Sequence, residues 1–101
     1  MNEVPKLYET EKAPFDEKII YQRYELKPLG FYWLIAELDR EKNLAFGYAN
    51  LNDDSMAEWG YVSIQELLEN DAELDRDWKP CSYKEAREII AKKRKDNVRS
   101  R

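Results

Sequence analysis

Residues 31–38, Phe-Tyr-Trp-Leu-Ile-Ala-Glu-Leu, are apolar on both sides of a period-two alternation. Phe31, Trp33 and Ile35 fall on one side, Tyr32, Leu34 and Leu38 on the other. A strand of this kind belongs in the middle of a sheet with both faces covered, because either face left in water would expose large apolar area. The chain has 101 residues, one domain's worth. It therefore has room for one sheet with this strand inside it, and a domain of this length hides roughly two-thirds of its unfolded surface.

The neighbouring segments supply the rest of that sheet. Residues 19–26 place Ile20, Tyr24 and Leu26 on one face and Arg23 and Glu25 on the other, the pattern of a half-buried strand. Lys27-Pro28-Leu29-Gly30 turns the chain before the central strand. In residues 44–50 the large Leu44, Phe46 and Tyr48 alternate with the small Ala45, Gly47 and Ala49, leaving a face open to something bulky. After a polar loop, residues 57–62 carry Trp59 and Tyr61 on one face, as a fourth strand would. Ser63 with Glu66 forms a capping box ahead of Ile64, Leu67 and Leu68, which predicts a short helix ending near Asn70. A second box, Ser82 with Glu85, opens a longer helix with the stripe Tyr83, Ala86, Ile89 and Ile90. Past Ala91 the stripe stops, so residues 92–101 are expected to fray into a flexible basic tail. Residues 1–18, with Pro5 and Pro14, read as an extended polar arm. The expectation is a single α+β domain over residues 1–101: a mostly antiparallel sheet of about four strands with two helices packed on one face.

Several chemistries lack their parts. The chain has no histidine, which removes His-based triads, Cys-His pairs, zinc motifs of the H-E-x-x-H type and the zinc deaminase signature. Gly30, Gly47 and Gly60 lie too far apart for a phosphate-cradling loop. Cys81 is the only cysteine, so no intrachain disulfide can form, and it reads as a packed small side chain. No apolar run approaches the ~20 residues of a membrane helix and no signal-peptide core is present, so the chain reads as cytoplasmic and away from membranes. The reading leans against an enzyme and includes no cofactor or metal. A carboxylate-based hydrolase using Glu58 and Asp77 is the last-ranked alternative.

Charge is unevenly placed. Residues 1–81 hold 9 basic and 18 acidic side chains, residues 82–101 hold 8 and 3, so a body of −9 carries an end of +5. Asp71, Glu73, Asp75 and Asp77 fall at alternate positions, like the start of a calcium loop. Arg76 sits where such a loop needs Gly, and Ser82 where it needs a bidentate Glu. The row instead suits a basic protein surface. Trp59, Tyr61 and Trp78 join it as candidate binding residues, since Trp and Tyr combine apolar area with a polar tip. At the other end Lys92, Lys93, Arg94, Lys95, Arg99 and Arg101 could meet nucleic-acid phosphates, although no aromatic is interleaved to stack on bases.

Taken in order, Leu7-Tyr8-Glu9-Thr10-Glu11, Ile19-Ile20-Tyr21, Trp33-Leu34-Ile35-Ala36-Glu37, Ala45-Phe46-Gly47-Tyr48, Glu58-Trp59-Gly60-Tyr61-Val62-Ser63 and Asp77-Trp78-Lys79-Pro80 resemble the blocks of a family of small uncharacterised bacterial proteins. That family is a domain of unknown function, met mainly on plasmids, phages and other mobile elements. The resemblance covers about residues 5–80 and implies no catalytic residues. It adds a setting to the expected function, a non-enzymatic acidic module that binds a protein partner and could inhibit a host nuclease or defence enzyme by charge mimicry. The alternative is a nucleic-acid accessory protein working through the basic tail.

Overall fold

The computed structural model describes residues 4–99, with side chains through Lys93. Four strands form an antiparallel meander: β2 (Gln22–Leu26), β3 (Phe31–Asp39), β4 (Leu44–Leu51) and β5 (Glu58–Ser63). Short connections dictate this order. Gly30 closes the first turn at φ 71° and Asn43 the second at φ 51°. The longer third loop is held from below by the buried Asn50, whose Nδ2 donates to Tyr32 Oη at 3.1 Å and to Asp54 at 2.7 Å, while its Oδ1 accepts the Asp53 N–H at 3.0 Å. A two-residue strand, β6 (Glu73–Leu74), returns to the outer edge of β2, giving the order β5-β4-β3-β2-β6. A separate ladder pairs β1 (Ile19–Ile20) with β7 (Cys81–Ser82). The helices are α1 (Ile64–Glu69) and α2 (Tyr83–Arg99). No helix among the described residues is long and apolar enough to cross a membrane.

The fold is α+β, with the expected central strand covered on both faces. The expectation of both helices on one face is corrected. Tyr24, Ile35, Leu38, Ala45 and Val62 share a core with Ile64 and Leu67 of α1, whereas Tyr32, Leu34 and Tyr48 share another with Tyr83, Ala86 and Ile90 of α2. Cross-strand register puts these two sets on opposite sides of the sheet. α1 follows Val62 directly and falls on the first face. α2 leaves from β7, which is pinned to β1 beside Ile20, on the second.

Two irregularities set which residue faces where. The segment expected as one strand over 19–26 breaks at Tyr21, whose N–H donates to the Ile35 carbonyl at 2.9 Å. Ile20 then enters the second core and Tyr24 the first, although simple alternation puts them on one face. A bulge between Ile35 and Glu37 inserts Ala36. It sends Leu38 into the first core and Glu37 to the second face, opposite Phe46 and Tyr61.

The same crowding explains Gly47. A Cβ built there would lie 2.1 Å from the Leu34 carbonyl oxygen. Gly30 is required by its left-handed backbone. Gly60 is different: its φ is unremarkable and a Cβ would meet nothing within 4 Å. Strand glycine is unfavourable by about 0.5–1 kcal/mol relative to Ala, so Gly60→Thr is expected to raise unfolding free energy by about 1 kcal/mol in urea titrations. A loss of stability would mean that the strand needs glycine there.

Ser63 Oγ accepts the Glu66 N–H and Ser82 Oγ the Glu85 N–H, each at 3.2 Å, so both serines cap their helices. α2 continues past Ala91 to Arg99, since Lys and Arg are good helix formers and need no burial to remain helical. Burial pushes the Tyr83 hydroxyl from its ordinary 10 up to about 12, against the opposing pull of the Arg87 guanidinium that donates to it. Between those two pH values the unfolded chain has lost this proton and the folded chain keeps it. Stability is thus full below pH 10 and declines from pH 10 to about 12. Tyr83→Phe should flatten that decline in urea midpoints measured across the window, and an unaltered slope would assign it to another group.

Candidate functional site

The N-terminal arm builds the most developed surface feature. Residues 6–13 fold into successive turns, with Glu9 N–H on the Lys6 carbonyl, Glu11 N–H on Tyr8 and Ala13 N–H on Thr10. Tyr8 takes the left-handed conformation at φ 71°. These turns are clamped to the sheet by Glu37, which is 3% exposed. Its Oε1 accepts the Tyr8 N–H at 2.8 Å, and its Oε2 accepts the Thr10 N–H at 3.0 Å and the Thr10 hydroxyl. Lys18, 4% exposed, completes the clamp by donating to the Thr10 carbonyl and hydroxyl. Where β2 ends and leaves β3 unpaired, the Leu38 N–H donates to the Pro5 carbonyl at 2.8 Å, so the arm also covers that edge.

Between arm and sheet lies a cleft of about 410 Å³ with Tyr8, Phe15, Phe46 and Tyr61 around Lys18 and Glu37. Tyr8, Phe15 and Tyr61 are 61%, 51% and 55% exposed, so three rings stand in water around one depression. Phe46 touches Tyr61 edge-on, with centroids 5.6 Å apart. The Lys18 ammonium lies 5.7 Å from the Phe15 centroid and 6.0 Å from that of Phe46. At the mouth Tyr61 donates to the Tyr8 hydroxyl at 2.8 Å. That bond, then burial and the negative charge of Glu37 and Glu11, raises the Tyr61 pKa, so the Tyr61 hydroxyl stays protonated at neutral pH.

The residues singled out from sequence separate into different roles. Tyr61 belongs to the cleft. Trp59 lies beneath it, in contact with Phe15, Phe46, Tyr48 and Tyr83 at centroid distances of 4.9 to 6.0 Å. Trp78 donates its indole N–H to the Ile20 carbonyl at 3.1 Å and packs on the second core. The acidic row is not uniformly free in water. Asp75 meets Arg23 at 3.4 Å, with side-chain exposures of 13% and 12%, and its Oδ1 accepts the Asp77 N–H. Asp71, Glu73 and Asp77 remain exposed. No three potential metal-ligating side chains gather among the described residues.

Glu58 is exposed and shares the first face with Ala49, so Trp59, its strand neighbour, points to the other face and cannot wall it. Its strand and β6, which precedes Asp77, are opposite edges of the sheet, about 19 Å apart at ~4.8 Å per strand. Lys92 and Lys93 are exposed on α2. The side chains of Arg94, Lys95 and Arg99, and all of Arg101, lie outside the described residues.

Tyr8, Phe15, Lys18, Glu37 and Phe46 were not singled out from sequence. The signal available for one of them was a lone carboxylate inside the apolar run of residues 31–38. The chain matches no family model, no curated protein and no solved structure, so the reading rests on the site's own geometry.

Proposed function

We propose that this protein is a non-catalytic interaction module of the cytoplasm that grips a protein partner with a basic surface through the cleft of Tyr8, Phe15, Phe46 and Tyr61. One observation carries this reading: the three exposed rings of Tyr8, Phe15 and Tyr61 stand around one depression, on a chain whose residues 43–75, including β4 and β5, hold eight carboxylates and no Lys or Arg. Exposed Tyr and Phe offer apolar area at small entropic cost, and the net negative charge of the chain speeds encounter with a cationic partner. Asp71, Glu73 and Asp77 add exposed acidic charge at the opposite edge of the sheet, where Asp75 is neutralised by Arg23. Nucleic-acid-handling enzymes, nucleases included, are the partner class such a surface suits, in keeping with the mobile-element setting that the resemblance implies.

The test is capture from host lysate by the tagged full chain, with and without nuclease treatment, set against Tyr61→Ala and Phe15→Ser variants. A stoichiometric partner that survives nuclease and is lost at least tenfold from both variants is the expected result. Capture that vanishes with nuclease, or that ignores both substitutions, would overturn the reading and move the weight to α2 and nucleic acid.

A further inference from the structure

The cleft opens beside the free edge of β5. Ile64 donates its N–H to the Asn43 carbonyl at 2.9 Å, which continues the β4–β5 ladder by one bonded pair. Bonded pairs alternate in an antiparallel ladder. Glu58, Gly60 and Val62 therefore direct their backbone groups to β4, while Trp59 and Tyr61 direct theirs, and Ser63 its N–H, outward, where no strand among the described residues pairs with them; the Ser63 carbonyl is taken by the first turn of α1. Sheet edges are ordinarily blunted by lysine, proline, a bulge or extreme shortness. β6, at the other edge, has two residues. β5 has six, with no Lys, no Pro and no break in register.

Gly60 adds a second observation. Alone among the three glycines it is demanded neither by backbone conformation nor by any neighbour in the fold. Glycine in an edge strand leaves room on the sheet face for a large side chain from the strand alongside. Charge then selects the occupant. β5 carries Glu58 as its one charged side chain, flanked along the chain by Asp53 and Asp54 before it and by Glu66 and Glu69 after it, with no Lys or Arg in residues 43–75, so a second copy would bring like charge to like at this edge, whereas a cationic segment is attracted.

We infer that β5 accepts an extended, cationic segment of the partner as a sixth strand, with main-chain bonds to Trp59, Tyr61 and Ser63. Its alternate side chains fall on the two faces. Those on the second face lie beside Tyr61 and the cleft, and suit Arg or Lys. Those on the first face lie over Gly60, and suit an aromatic or β-branched residue. The inference rests on the interaction reading above and specifies its geometry.

A direct test adds an acetylated, amidated octapeptide of alternating arginine and valine to the full chain, and follows backbone amide exchange together with the resonances of Tyr8, Phe15 and Phe46. At saturation the Trp59, Tyr61 and Ser63 amides should exchange at least tenfold more slowly. The same peptide N-methylated along one edge should bind at least tenfold more weakly. The Gly60→Thr variant should keep its melting temperature or raise it, yet lose peptide affinity about tenfold.

Shifts at the cleft rings with edge amides exchanging as in the free protein would overturn strand addition and leave the interaction reading intact. No shift at rings or edge would overturn both for this class of partner. Edge amides already protected in the free protein, increasingly so with concentration, would show that a second copy fills the edge and would overturn the inference.

Discussion

Glu37→Ala is expected to destabilise the protein by about 3–5 kcal/mol, the range for removing one partner from a buried charged network. The carboxylate accepts from two backbone N–H groups and a hydroxyl, all in the arm. Without it those donors are either buried unsatisfied or free only if the arm lifts off, and Lys18 loses the Thr10 contacts that hold its ammonium. Urea unfolding gives the magnitude. Amide exchange over residues 4–18 gives the mechanism, because the arm should become exchangeable while β3 and β4 stay protected. Tyr8 and Phe15 come from the arm, so the cleft should vanish in the same variant. A loss below about 1 kcal/mol with the arm still protected would show that Glu37 is not the clamp.

Gly47→Ala is expected to cost at least 3 kcal/mol, beyond the usual range for one added methyl in a packed interior. The added carbon would lie 2.1 Å from the Leu34 oxygen, 3.0 Å from the Leu34 carbonyl carbon and 3.1 Å from the Ile35 Cα. All three are backbone atoms of the central strand. No rotamer change can relieve the clash, so β3 and β4 must separate or the bulge must shift. Gly60→Ala is the matched control, since it alters the facing residue on β5 without any contact. If both variants unfold at the same urea concentration, the close approach of Leu34 is not what demands glycine.

Much of the architecture was legible because it rests on local rules. Alternation in residues 31–38 placed the central strand, and Ser63 and Ser82 marked both helix starts, since a capping box is complete within four residues. β6, β7 and the break that separates β1 from β2 were not legible. β1, β6 and β7 have two residues each, too few for a period to show, and each exists because its partner strand happens to lie alongside. The acidic row was read as uniform because alternate carboxylates on an extended chain share a face. Arg23 on β2 breaks it by drawing Asp75 in, a contact across 52 residues.

Composition and spacing within a few residues were enough for the α+β class, the mostly antiparallel sheet, the helix starts, the acidic body and the absence of histidine chemistry, whereas the strand order was not readable from them. Tertiary contacts decided that the helices cover opposite faces, that the buried Glu37 lies on the second face, where it clamps the arm, and that Tyr8, Phe15, Phe46 and Tyr61 meet. The helices take the faces of the strands they leave, β5 and β7, and the bulge at Ala36 inverts the alternation of Glu37–Asp39 at the end of β3; which strands pair and whether one bulges depend on what packs against them from distant parts of the chain.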